Sequence, residues 1–394
     1  MTTNTDVVVI GGGYAGVIAA NRLTKHDGVT VTLINPRSEF VERIRLHQLV
    51  TGSDDAVMDY RELLAPRVHL LVDTVTLIDH DVQRLELASG GDLGYDYLVY
   101  AAGSGSADPR VSGAAEFAYP IATFEEAERL RPVLRATPDG APVTVVGAGS
   151  TGLEIATELA EADRTVTMVC GDSFGTYLHP KARRSAVKRL AELGVTVLEG
   201  PTARVTAVTR DAVHLADGGE LPSAVTIWTV GFGAPDLAAR SGLSTDAQGR
   251  LLTDETLTSV DDRHIVAAGD SAAPSNLPYR MSCQAARPLG AHAADTVLAR
   301  IAGDRPEAIR LGFAGLCLSL GRRAGIFQMA DRDDTPKWMY LAGRPGATMK
   351  ELVCKQTVKE LATEARKPGA LTWVSDRTRA ARLRERRDAV QPAR

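Results

Sequence analysis

A glycine fingerprint occurs twice in this chain. Val7-Val8-Val9-Ile10 runs into Gly11-Gly12-Gly13-Tyr14-Ala15-Gly16, and Val143-Thr144-Val145-Val146 runs into Gly147-Ala148-Gly149-Ser150-Thr151-Gly152. Each time an apolar strand pattern feeds a G-x-G-x-x-G turn and then a helix pattern. In such a turn the first glycine permits the tight bend and the second lets backbone approach a pyrophosphate. The third lets helix and strand pack closely. The anion then rests on the free N–H groups at the positive end of the helix. Two such turns imply two dinucleotides in one chain, and the simplest purpose of two dinucleotides is electron transfer between them.

Length and composition leave room for that reading. The 394 residues suffice for two or three domains, each with its own core. Hydrophobic content of 44% and charged content of 24% fit a soluble globular protein. A net charge of -4 gives no reason to expect nucleic acid as a partner. No apolar run reaches the roughly 18 residues of a membrane span. Met1 to Asp6 lacks the basic start and apolar stretch of a secretory signal, so a cytoplasmic location is expected. Cys170, Cys283, Cys317 and Cys354 form no close pair, which disfavours structural disulfides and a metal site. They read as buried thiols behaving as small apolar residues.

The order of elements repeats. In the first unit a helix is expected over 15–23, a strand over 29–35, a hairpin around Leu85-Glu86-Leu87 and Gly90-Gly91, and an apolar strand over 97–101 ending at Ala102-Gly103. In the second, a helix is expected over 153–160, a strand over 165–170, a helix over 183–193, a hairpin around 213–219, and a strand over 225–230 ending at Gly231. A Pro/Gly/Ala-rich connector, 104–120, joins them. A strand at 264–268 ends in Gly269-Asp270, and a helix is expected over 291–301. A third segment from about Leu311 carries short strands and a helix near 350–365. The tail beyond Asp376 holds Arg377, Arg379, Arg382, Arg384, Arg386 and Arg387 and reads as a solvated helix or as disordered.

Together, the two glycine turns, Tyr97 to Gly103, Thr229-Val230-Gly231 and Ala268-Gly269-Asp270 resemble the two-dinucleotide-binding flavoprotein reductases of the pyridine nucleotide-disulfide oxidoreductase superfamily. Within it they are most similar to the type II NADH dehydrogenase and apoptosis-inducing-factor-like branch. The resemblance covers roughly 7–302. It implies an α/β fold of two Rossmann-like domains plus a smaller α+β C-terminal domain. The FAD-binding domain would span 1–115 and 253–305, the NAD(P)H-binding domain 116–252, and the C-terminal domain 306–394. Gly11, Gly13, Tyr14, Ala15, Gly16, Asn35, Arg37, Arg43, Ala102, Gly103, Gly269 and Asp270 would then serve FAD. Gly147, Gly149 and Gly152 would serve NADH or NADPH, and Gly231 would be a further cofactor contact. Glu154 would lie near the nicotinamide, although a first-turn glutamate also suits the helix dipole alone. Lys350 is similar in place to a lysine that reaches the flavin, where it would balance negative charge during reduction. The alternative is an ordinary helix lysine.

Several positions depart from the pattern. The first ribose-facing strand ends in Asn35 rather than a carboxylate, yet an amide can still donate to and accept from both hydroxyls. Arg37 could stack on adenine or face solvent. The second such strand ends in Cys170, followed by Gly171 and Asp172. Asp172 could reach the hydroxyls of NADH, whereas Arg183 and Arg184 begin the next helix, so the choice between NADH and NADPH stays open. The 40–48 stretch lacks the cysteine pair of the disulfide reductases, which excludes thiol–disulfide chemistry there. Its Arg43, Arg45 and His47 either border the flavin or lie on the surface of an amphipathic helix. Gln284 matches one glutamine of the quinone-reducing relatives, but Pro288 and Leu289 replace the later pair, and Pro288 disturbs a helix outside its first turn.

The expected function is an FAD-dependent NAD(P)H oxidoreductase passing electrons to a quinone or another small acceptor, with Glu154, Gln284 and Lys350 as catalytic candidates. Peripheral membrane contact and a homodimer are compatible with the resemblance. One alternative is a flavin-dependent tailoring oxidase or monooxygenase, against which the F-x-G-x-x-x-H-x-x-x-W stretch is absent. Another is a non-enzymatic redox-sensing flavoprotein or interaction protein whose arginine-rich tail binds an acidic partner or a membrane surface.

Overall fold

The computed structural model describes residues 4–390; the first three residues of the N-terminal stretch lie outside it, as does the side chain of Arg387. Two five-stranded parallel sheets carry the fold. In the first, strands run in the order Ile265–Ala267, Tyr97–Tyr100, Thr5–Ile10, Val29–Asn35, Val68–Val72. In the second the order is Ala118–Pro120, Val225–Trp228, Pro142–Val146, Thr165–Val169, Thr196–Leu198. The glycine-turn strand is central in both, flanked by the strand that follows it and by the late apolar strand. Val7–Ile10 and Val143–Val146 of the central strands are buried, and all but Thr144 are apolar, as a sheet covered by helices requires.

The glycine turns deliver what the spacing predicts. A Cβ on Gly16 would stand 1.8 Å from the Gly11 carbonyl oxygen, and one on Gly152 would stand 2.2 Å from that of Gly147. No side chain fits at either contact. The helices Tyr14–Leu23 and Ser150–Glu161 begin at these turns, one or more residues earlier than the periodicity suggested.

The connector 104–120 is more ordered than its composition implied. It contains a short helix, Ala114–Phe117, and the strand Ala118–Pro120, which pairs with Val225–Trp228 and so belongs to the second sheet. The hairpins are each three-stranded antiparallel sheets. The helix expected over 291–301 starts at Cys283 and runs to Ile301 with Pro288 inside it. Ser282 caps it by accepting from the Ala285 N–H, and the Arg287 side chain donates to the Cys283 carbonyl near the proline. Gly290 lets this helix cross Tyr14–Leu23 at backbone distance, since a Cβ there would meet the Ala15 carbonyl at 2.1 Å.

The third segment is the antiparallel sheet Gly315–Ser319, Gly325–Ala330, Pro336–Gly343, covered by the helix Arg344–Arg366. Leu318 and Ile326 from this sheet, with Leu320 from the turn between their strands, join the core of the second unit, so the segment is packed onto it. The tail is a helix, Arg379–Val390, and its first residue is an anchor rather than a solvated arginine. Buried Arg379 pairs with Glu255, donates to the carbonyls of Pro274 and Leu277, and lies over the Tyr279 ring.

Candidate active site

The N-termini of the two glycine-turn helices have no side-chain cap. Elsewhere Thr123, His179 and Ser282 accept from helix N–H groups in the usual way. At the bare ends, Gly13 and Gly149 face space: a Cβ on either would meet nothing within 4 Å. Each turn therefore offers free N–H donors, a helix dipole and room for an anion, which is what a pyrophosphate requires.

Around the first turn, Asn35 is buried and its amide is partly engaged. Its oxygen accepts from the Gly12 N–H at 3.0 Å and its nitrogen donates to the Arg37 carbonyl at 2.9 Å. Tyr60 donates its hydroxyl to the Gly12 carbonyl at 2.7 Å. Asn35 thus holds the turn in shape, a role its place in the sequence did not disclose. Arg37 grips Glu125 with both arms of its guanidinium. Tyr14 is buried and packs edge-on to Phe40 at 5.2 Å between ring centres, with its hydroxyl lacking a protein partner.

Asp270 and Arg43 come together beside this turn. The Asp270 carboxylate accepts from the Ser104 hydroxyl at 2.8 Å and stands 3.5 Å from Arg43, which also donates to Ser104 and to the Ala122 carbonyl. Gly269, in the left-handed region, brings the Asp270 turn against Ala15, where a Cβ would lie at 2.9 Å. Ala102 and Gly103 close the neighbouring strand end, with Gly103 near Arg43. Ser104 had no sequence signal of its own.

The second turn leads into a buried charge cluster. Glu154, in the first turns of Ser150–Glu161, pairs with Lys350 at 2.9 Å. The same oxygen accepts from the Ser319 N–H at 2.9 Å, while the other lies 3.9 Å from His47. Burial alone would raise the Glu154 carboxyl, but Lys350, then His47 and the Ser319 N–H, outweigh it and hold the group below the ordinary range. Burial likewise pulls against the Lys350 ammonium, and Glu154 overcomes it and raises that pKa. His47 is pushed down to about 4, chiefly by burial, so it is a neutral imidazole at neutral pH. The surface reading of Arg45 and His47 is therefore overturned, since both are buried. Arg45 is bound to Glu42, Gln48 and Glu351.

Gln284 is turned toward the third segment. With its nitrogen donating to the Gly315 carbonyl at 2.9 Å and its oxygen accepting from the Ala314 N–H at 3.2 Å, its amide ties the helix start to that sheet. Gly231, also in the left-handed region, ends the late strand of the second sheet near Ala107. The cysteines are free; Cys354 is buried and the other three are half-buried. Burial pushes the thiols of Cys170 and Cys354 up to about 12 and that of Cys317 up to about 11, so none is a reactive thiolate at neutral pH.

Residues 5–294 match the family model of the pyridine nucleotide-disulphide oxidoreductases. The chain belongs to this family. The oxidoreductase is 30% identical over 383 residues to an NADH dehydrogenase-like protein of Mycobacterium tuberculosis, covering 89% of this chain and 93% of the relative. It is 28% identical over 349 residues to the type II NADH:quinone oxidoreductase Ndh of the same organism, covering 76% and 73%. Its fold matches that of NDH2 from Plasmodium falciparum solved with NADH, with a TM-score of 0.75 at 16% identity over 93% of this chain and 99% of that one. The sulfide:quinone oxidoreductase of Aquifex aeolicus gives the same TM-score at 20% identity, over 91% and 92%. FAD and a nicotinamide dinucleotide are the cofactors of such an oxidoreductase, and the two uncapped turns with open middle glycines fit them. No helix among the described residues is long and apolar enough to cross a membrane.

Proposed function

We propose that this oxidoreductase takes a hydride from NADH onto FAD and passes the electrons to a quinone-type acceptor. The observation that carries the reading is the Glu154–Lys350 pair. Glu154 sits on the helix of the second glycine turn, Lys350 on the C-terminal helix, and His47 of the first unit completes the cluster. Three separate regions thus meet at one buried charge pair.

Bound FAD supplies the hydride-accepting ring and a store for two electrons. The chain supplies position and field. The first turn with Gly11, Gly13 and Gly16 would cradle the FAD pyrophosphate, and Arg43, Ser104 and Asp270 would order the chain that leads to the ring. The second turn would hold the dinucleotide of the donor, with Glu154 near its nicotinamide. Holding both rings at reacting distance removes several kcal/mol of barrier. Lys350 keeps a positive charge in a buried place, which favours negative charge arriving beside it. Glu154 holds that ammonium in place, and neutral His47 adds no second positive charge. No nucleophile is required.

Quinone as acceptor is supported by the relatives, among them the type II NADH:quinone oxidoreductase. Gln284 is an anchor in this arrangement, so the acceptor reading does not depend on it. The strand Pro336–Gly343 leaves Trp338, Met339 and Leu341 exposed, apolar side chains suited to peripheral contact with the membrane that holds such an acceptor. The test is anaerobic addition of NADH to the yellow holoprotein, then of a short-chain quinone. Bleaching followed by recovery supports the reading; bleaching with recovery only in oxygen removes the quinone.

A further inference from the structure

The strand that follows a dinucleotide turn normally ends in a carboxylate that takes the adenosine ribose hydroxyls. In the second unit Cys170 follows that strand, Thr165–Val169, and Asp172 is turned outward, 3.6 Å from Arg204 with both side chains largely exposed. Asp172 is therefore a surface ion pair and a weak candidate for the ribose.

A carboxylate reaches the same edge from the neighbouring strand. Thr196–Leu198 pairs in parallel with Thr165–Val169, and the two strand ends stay zipped past the sheet. Cys170 N–H donates to Leu198 O at 2.8 Å, and Gly200 N–H donates to Gly171 O at 2.7 Å. Glu199 lies between those two bonds. One oxygen of its carboxylate accepts from the Phe174 N–H at 2.9 Å and from Arg183 at 3.0 Å. Phe174 is buried, so this bond fixes the carboxylate against the loop that leaves Gly171. Glu199 is half exposed, and its second oxygen takes no part in these two bonds.

Arg183 belongs to a basic helix face. With Arg184, Lys188 and His179 it lines a surface cavity of about 910 Å³. A 2′-phosphate carries nearly two negative charges and needs such a cation unengaged. Here Glu199 occupies Arg183.

We infer that Glu199 is the residue that selects NADH over NADPH in this chain, by accepting from the ribose hydroxyls and by holding Arg183 away from a 2′-phosphate. This rests on the reading that the second unit binds the nicotinamide donor. Sequence patterning does not disclose it, because the carboxylate comes from the end of the third strand and not the second.

The experiment is calorimetric binding of NAD⁺ and NADP⁺ to the oxidised holoprotein. The native chain binds NAD⁺ at least tenfold more tightly. Glu199→Gln keeps an acceptor for the Phe174 N–H, so the loop is retained, but removes the charge. It weakens NAD⁺ about tenfold, as expected for a lost charged hydrogen bond, and tightens NADP⁺. Adding Arg183→Leu to that variant abolishes the NADP⁺ gain. Arg183→Leu alone leaves NAD⁺ binding near native. A native preference for NADP⁺, or an unchanged ratio in Glu199→Gln, overturns the inference while leaving the donor-binding unit intact. Failure of the native holoprotein to bind either dinucleotide overturns the underlying reading and the inference with it.

Discussion

The two glycine turns are built alike and held differently. Both have an open middle glycine and a third glycine in contact with the first. At the first turn, Asn35 and Tyr60 clamp the Gly12 N–H and carbonyl from two sides. At the second, the equivalent residue is Ala148, half-buried, and the strand end Cys170 brings no amide to clamp it. A rigid turn suits a cofactor that stays through many cycles, because little ordering remains to be done when it binds. A looser turn suits a substrate that must leave each time. The lesson is that shared turn geometry defines what binds, whereas the side chains around it tune how long.

The comparison breaks down first where the two units share a charge. Lys350→Met leaves Glu154 buried without its cation, which costs about 3–5 kcal/mol. Urea unfolding monitored by circular dichroism reads the loss. Adding Glu154→Gln recovers much of it, since the unpaired charge is then gone. An effect within error for the single variant contradicts the buried pair.

His47 sharpens the same boundary through pH. It titrates at about 4 in the folded chain against 6.5 ordinarily. Between those values the unfolded chain takes up a proton that the folded chain refuses, so acidification removes up to about 3 kcal/mol. Above pH 6.5 the group contributes nothing. The depressed Glu154 carboxyl acts in the same sense at lower pH, its contribution disappearing as pH falls through its folded pKa. His47→Gln flattens the thermal stability profile between the two His47 values. A parallel profile in native and variant chains removes His47 from the account.

Asn35→Ala tests the clamp directly. It leaves the buried Gly12 N–H without an acceptor, at about 1–3 kcal/mol, and accelerates FAD release measured by flavin fluorescence during dialysis. Nicotinamide affinity stays native. The mirror experiment is Gly149→Ala, whose Cβ meets open space within the protein. The fold and bound FAD are retained and dinucleotide affinity falls about tenfold, or roughly 1.4 kcal/mol, because the methyl group intrudes where the pyrophosphate lies. Equal loss of FAD in both variants erases the distinction between the turns.

Much of this fold is legible in the sequence because its signals are local. The glycine spacing, the apolar strands and the Ala-Gly-Asp turn each depend on residues within a few positions of one another. The remainder depends on packing between distant segments. Ser319 meets Glu154 across 165 positions, and Arg379 meets Glu255 across 124. Ala118–Pro120 becomes a strand only because Val225–Trp228 offers an edge. The sequence leaves Arg45 and His47 open between the flavin edge and a helix surface; both are buried, and the helix from Arg344 to Arg366 brings Glu351 to Arg45 and Lys350 to the carboxylate beside His47. Pro288 signalled a helix break, yet its neighbours Arg287 and Ser282 satisfy the backbone nearby and the helix continues.

The most direct measurement of the central claim is a stopped-flow mix of anaerobic holoprotein with NADH, followed by visible flavin absorbance. The account predicts full bleaching with one NADH consumed per bound FAD, strongly slowed in Gly149→Ala although that variant is equally yellow before mixing. A flavin that stays oxidised in the native holoprotein, or that bleaches at the native rate in the variant across sub-saturating NADH, contradicts it.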